Sequence, residues 1–180
     1  CSSDLNLAAG LIALTGWDGA VPLLDPLCGS GTLLIEAAAM ALGRAPGLLP
    51  VSPGWGLPAA EPPSAPSRLV LEPRRYGLQR WPDFDAALWQ QEVEAARQLA
   101  RPNCGDGRPL APIFGLEQDP AVLEQARSNT AAAGLADRIR LECGDFRDLQ
   151  PPPGPGILVC NPPYGARLGS LEELEALYAD

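Results

Sequence analysis

The chain of 180 residues has no histidine, no lysine, a single methionine and only 6% aromatic residues. Without histidine, a Ser-His-Asp hydrolase or a histidine general base is excluded, and a zinc site loses its usual nitrogen ligand. Five cysteines (Cys1, Cys28, Cys104, Cys143, Cys160) form no Cys-x-x-Cys pair and are odd in number. They indicate neither a zinc ribbon nor a disulfide framework, so no metal is expected. They read as reduced thiols of a cytoplasmic protein. No apolar run approaches the roughly 18 residues of a membrane span, and no membrane association is expected. The start, Cys1-Ser2-Ser3-Asp4, lacks an initiator Met and the basic and apolar regions of a signal peptide, and reads as a cut inside a longer protein. There is no internal repeat, which disfavours a solenoid. Positive charge is scarce: 13 arginines face 22 acidic residues, for a net charge of −9. Gripping a phosphate backbone needs a basic face, which must then lie elsewhere in the parent protein or in a local arginine patch.

What is present is an alternation of strand and helix signals in a chain that is 46% hydrophobic, enough for one globular core. Val21 to Asp25, Pro112 to Glu117, Ile139 to Cys143 and Gly156 to Cys160 read as strands. Leu33 to Leu42, with Glu36 as its one charge, reads as a nearly buried helix ended by Gly43. A second helix follows Asp119 as N-cap and Pro120 at its first position, and Gly134 closes it. Asp83 to Ala100 is helical too, with Trp89, Val93, Ala96 and Ala100 on one face. Pro46 to Pro73 is crowded with Pro, Gly, Ala and Ser, and reads as an irregular insertion. The order predicts a parallel sheet covered on both faces.

Four short motifs carry chemistry. In Asp25-Pro26-Leu27-Cys28-Gly29-Ser30-Gly31-Thr32 a strand ends, a glycine turn follows and a helix begins. Glycine lets backbone approach a ligand closely, and the free N–H groups of the helix start can receive an anion. Alone the signal is weak: a tight structural turn fits as well, and the third glycine of the dinucleotide fingerprint is missing. Glu117 ends the second strand, where an acid can accept hydrogen bonds from both hydroxyls of a ribose. Asp145-Phe146, past the third strand, suits recognition of an adenine amino group beside an apolar wall, or a simple turn.

The fourth motif, Asn161-Pro162-Pro163-Tyr164, is the most specific. Two prolines stop a strand without needing Asn before them or an aromatic after. The exocyclic amine of a base is a poor nucleophile, because its lone pair is delocalised into the ring. Two acceptors aimed at its N–H groups, the Asn161 side-chain oxygen and the Pro162 carbonyl, push the nitrogen toward tetrahedral geometry and direct that pair at an electrophile. Tyr164 can stack on the ring. Such catalysis rests on positioning and electrostatics and suits a chain without histidine.

These motifs, in this order, resemble the RNA methylase family, whose members include THUMP-associated guanine-N2 methyltransferases of large-subunit ribosomal RNA and of tRNA. Leu5 to Leu11 and Arg80 to Asp85 are similar to further family segments. The resemblance implies a Rossmann-like α/β fold, the class I S-adenosylmethionine (SAM)-dependent methyltransferase sheet. Residues 1–180 would be part of that domain, interrupted at about 46–73 and truncated at the C-terminus. It implies that Asp25, Cys28, Gly29, Ser30, Gly31 and Thr32 hold the methionine part of the cofactor, Glu117 its ribose, and Asp145 and Phe146 its adenine. Asn161 would border both cofactor and target base, with Pro162, Pro163 and Tyr164 on the base. The implied substrate is guanine N2 of 23S rRNA, with a THUMP or other RNA-binding domain in the parent protein. Asn-Pro-Pro-Tyr is shared with DNA adenine-N6 methyltransferases, which leaves DNA as the alternative substrate. A non-catalytic binding module of the same fold is the second alternative.

Overall fold

In the computed structural model, which describes residues 2–48, 76–150 and 153–162, four strands form one sheet. β1 (Leu23–Asp25), β2 (Ile113–Glu117), β3 (Ile139–Cys143) and β4 (Ile157–Leu158) are ordered β3-β2-β1-β4, every neighbouring pair parallel. Parallel strands need crossovers. The first contains α2 (Thr32–Ala41) and α3 (Ala86–Leu99), the second α4 (Pro120–Ala132), while α1 (Ser2–Thr15) precedes β1 and packs along α2. The β1-to-β2 and β2-to-β3 crossovers step the same way, so right-handed connections put α2 and α4 on one face. Alternate strand residues Leu23, Ile113, Ile139 and Val159 are buried there with Ile12, Leu34, Leu42 and Leu135.

Gly115 is where this packing is tightest. A Cβ at this position would collide with the Leu34 side chain, lie 2.8 Å from Leu141 Cδ2 and 3.0 Å from Cys28 Sγ. Gly115→Ala should therefore cost about 3 kcal/mol by overpacking, readable as a lower midpoint in chemical denaturation.

The helical cover expected on both faces is found on one face among the described residues. Only the connection from β3 to β4 runs back across the other face, and its described part holds a single short turn, Phe146–Asp148. Leu149 and Gln150 lie over Leu24, Phe114 and Leu116 around a small cavity, and Leu158 is 62% exposed. β4 is shorter than the expected Gly156 to Cys160, pairing with β1 only at Ile157 and Leu158. One further bond, from Val159 N to Leu24 O at 2.9 Å, extends it.

The helix expected from Asp83 begins at Ala86, because the Asp85 side chain accepts hydrogen bonds from Ala87 N and Leu88 N, both 2.9 Å, and so caps it. Trp89, Val93 and Ala96 are half-buried, Ala100 is exposed, and no residue of α3 reaches the core. Trp89 packs against the Tyr76 ring at 5.3 Å, a satellite contact beside the sheet. Of the Pro-rich insertion, Pro46–Leu48 forms one short turn. The remainder of it lies outside the described residues.

Candidate active site

β1 and β4 are hydrogen-bonded neighbours, yet the chain reaches β4 only after building outward to β3. The direction of travel reverses between them, and open α/β sheets bind ligands at such a switch point, beyond the carboxyl ends of the strands. The first and fourth motifs leave the sheet there side by side. Asp25 ends β1, and exposed Asn161 and half-buried Pro162 follow β4. Pro163 and Tyr164 lie outside the described residues.

The glycine turn is braced on several sides. Gly29 (φ 53°) and Gly31 (φ 81°) take left-handed conformations that side chains resist. Cys28 N donates to Leu116 O at 2.9 Å, and Gly31 N donates to Cys28 O at 2.8 Å. Nothing stands within 4 Å of where a Cβ would sit on Gly29. Gly31 is the N-cap of α2 and no side chain caps that helix, which leaves its first N–H groups without a side-chain acceptor. Ser30 Oγ and Thr32 Oγ1 share a hydrogen bond of 3.2 Å. From α4, Asn129 Nδ2 donates to Ser30 O at 2.9 Å. Sequence reasoning missed Asn129, because it stands between Ser128 and Thr130, equally poor helix formers, and nothing local marks it out.

Two acids meet at this turn. Asp25 is 1% exposed and accepts a hydrogen bond from Leu27 N at 3.1 Å. Burial raises its pKa, the Leu27 bond opposes this, and the nearby Glu117 charge adds to it, leaving a value of about 7. Half-buried Glu117 accepts from Gly29 N at 3.1 Å through Oε2 and from Asp119 N at 3.0 Å through Oε1. Its carboxylate thus reaches back from β2 and holds the turn itself. Asp119 caps α4 as expected, accepting from Ala121 N at 2.8 Å. Cys28 is in the core, where burial and then the charges of Asp25 and Glu117 push its thiol up to about 12. It is a packing residue held as a neutral thiol, with no nucleophilic character.

Asp145 and Phe146 stand farther off, at the end of β3, with β2 between them and β1. Asp145 caps the Phe146–Asp148 turn and accepts from Arg147 N at 3.0 Å, the bond that does most to hold its carboxyl below the usual range. Arg147 Nη1 approaches its second oxygen at 3.2 Å while the guanidinium lies 4.9 Å from the Phe146 ring centre. Among the described residues, no three His, Cys, Asp or Glu side chains form a metal-holding group, and no helix is long and apolar enough to cross a membrane.

Residues 4–180 match the family model described as "RMKL-like, methyltransferase domain". The chain is 38% identical over 174 residues to the ribosomal RNA large subunit methyltransferase K/L of Shewanella amazonensis, an alignment covering 96% of this chain and 21% of that protein. It is similar to the crystal structure of SMU.472 complexed with SAH, at a TM-score of 0.74 and 30% identity over 97% of this chain and 38% of that one. A protein of Listeria monocytogenes described as a predicted N6-adenine-specific DNA methylase gives a TM-score of 0.72, with 30% identity over the same shares of the two chains. The chain therefore spans about a fifth of the length of its curated relative.

Proposed function

This chain belongs to the RMKL-like methyltransferase domain family, and from that premise we propose that its parent protein methylates the exocyclic amino group of a base in RNA, at guanine N2 of 23S rRNA. The observation that supports this most is the adjacency of two motifs across the switch point, the glycine turn beyond β1 and Asn161-Pro162 beyond β4.

The residues fit SAM. The open space at Gly29 admits its methionine part, and Asp25 offers a carboxyl to its positive charge. The two oxygens of Glu117 suit a ribose diol, and Asp145 with Phe146 suits adenine. When bound, the cofactor supplies an electrophilic methyl group. This chain's own residues do the rest by positioning. Asn161 and the Pro162 carbonyl accept from the amine, so that its lone pair turns toward the methyl group. Tyr164 stacks on the base. The proton that the methylated amine sheds passes to solvent, so no side chain has to titrate.

With a net charge of −9, the RNA is gripped by basic surface outside this chain, such as a THUMP domain. The Shewanella relative is named for large-subunit ribosomal RNA, which supports RNA over DNA. Mass spectrometry of 23S rRNA from cells with and without the gene should show one N2-methylguanine lost on deletion. If labelled SAM marked DNA alone, the RNA reading would fall. Absence of calorimetric SAH binding by the full-length protein would favour a non-catalytic module.

A further inference from the structure

We propose that Asn129 is a positioning residue for the cofactor, acting through the Ser30 carbonyl to fix the glycine turn in its ligand-receiving form. The inference rests on the cofactor reading above. Its basis is one long-range hydrogen bond and the surfaces around it. The peptide between Ser30 and Gly31 is held at both ends. Its N–H donates to Cys28 O at 2.8 Å and its carbonyl accepts from Asn129 Nδ2 at 2.9 Å. Rotation of that peptide would break both bonds. One helical turn before Asn129, Ala126 faces Gly31, whose added Cβ would lie 3.5 Å from the Ala126 Cβ. Two positions of α4 therefore touch the turn, one by packing and one by a hydrogen bond.

The choice of residue supports a role beyond helix formation. Asparagine is a poorer helix former than alanine, because its side chain competes for backbone hydrogen bonds. It lies in the run Ser128-Asn129-Thr130 just before Ala131 and Ala132, and of these three polar side chains it is the one that reaches the turn. Leu123, Ala126 and Thr130 supply the buried face of α4, and Asn129 sits half-buried at its margin, toward the turn. Replacement by alanine should therefore spare the helix. The orientation of the turn is what should be lost, because a carbonyl freed at a half-buried site is rehydrated and its peptide can rotate. Glycines at Gly29 and Gly31 give that rotation little resistance.

The test uses the full-length protein with SAM and its RNA. In Asn129→Ala, KM for SAM and Kd for SAH should rise about fivefold to tenfold, the range of a single hydrogen bond. The kcat at saturating SAM, KM for RNA and the melting temperature should stay near wild type. Asn129→Asp, which sets an acceptor against the Ser30 carbonyl, should weaken binding further at the same size. A purely structural residue would instead lower the melting temperature and leave KM unchanged. Wild-type SAH affinity in both variants would overturn the proposal, as would a loss confined to kcat. Failure of the wild-type protein to bind SAH would overturn the cofactor reading itself, a distinguishable result.

Discussion

Replacing Asp25 with asparagine should sharply weaken cofactor binding while making the protein more stable above pH 7. Asp25 is 1% exposed, and its carboxyl accepts a backbone hydrogen bond from Leu27 N. The titratable groups facing it give its charge no support: Glu117 is a like charge, and the Cys28 and Cys160 thiols are themselves pushed up, first by burial, and stay neutral. Burial lifts the Asp25 carboxyl to about 7, against an ordinary value of 3.8. The folded state therefore holds a proton over a pH range in which the unfolded state has released it. Below about pH 4 both states are protonated and Asp25 costs nothing. As pH rises toward 7 that advantage is lost, and above 7 a buried carboxylate destabilises the fold by about 4 kcal/mol. Asparagine has the same shape and does not ionise. The variant should melt higher than wild type at pH 8, and the two should converge near pH 4. Glu36, also buried and pushed up, is present in both proteins, so the difference isolates Asp25. Equal melting temperatures at pH 8 would show that Asp25 is ionised at no cost.

The same carboxyl predicts a pH dependence of binding. A positively charged ligand beside Asp25 favours its ionised form, so binding releases the proton. Affinity for SAM should weaken as pH falls below about 7, by up to about tenfold per pH unit. In Asp25→Asn the residual affinity should be flat over that range. Calorimetry in buffers of different ionisation enthalpy would count the proton directly. A pocket that destabilises its own fold for a ligand's charge is the expected signature of a binding site.

Local signals foretold the skeleton of this fold. β2, β3 and α4 lie where apolar runs, an Asp-Pro start and a terminal glycine put them, because each of those signals acts over a few residues. α3 was misjudged at its start, since Asp83 and Asp85 are both plausible caps and only the bonds to Ala87 and Leu88 decide between them. Its apolar face was legible, yet no residue of it is buried. Periodicity reports that a face is apolar, and not how completely it is covered. The candidate site divides in the same way. Asp25 and the glycines were legible because turn chemistry restricts them to few residue types. Cys28 was legible as part of the motif, but its place in the core against Gly115 was not. The two braces of the turn, Glu117 on Gly29 and Asn129 on Ser30, join residues far apart in sequence. No local pattern encodes such contacts, and they became visible only when the sheet brought β2 and α4 to the turn.

The largest effect on turnover should come from Asn161→Ala. Asn161 is exposed at the carboxyl edge beside the switch point, so truncating it removes little packing and should leave the stability within about 0.5 kcal/mol of wild type. Its proposed work is to accept a hydrogen bond that strengthens as the amine becomes tetrahedral and gathers positive charge. An interaction made mainly in the transition state lowers kcat when removed and barely alters ground-state binding. By analogy with the loss of one preorganised hydrogen-bonding group elsewhere, kcat should fall by about 100-fold or more. Kd for SAH, which the proposed function assigns to the turn beyond β1 and to Glu117, should change by less than the effect of Asn129→Ala. Single-turnover rates with RNA in excess, beside SAH calorimetry, separate the two quantities. Asp25 and Asn161 thus make opposite predictions from one edge of one sheet: the first variant holds the cofactor weakly, and the second keeps it and cannot use it. If Asn161→Ala lost affinity and rate equally, the side chain would belong to the cofactor pocket, and the acceptor role at the base would pass to the Pro162 carbonyl alone.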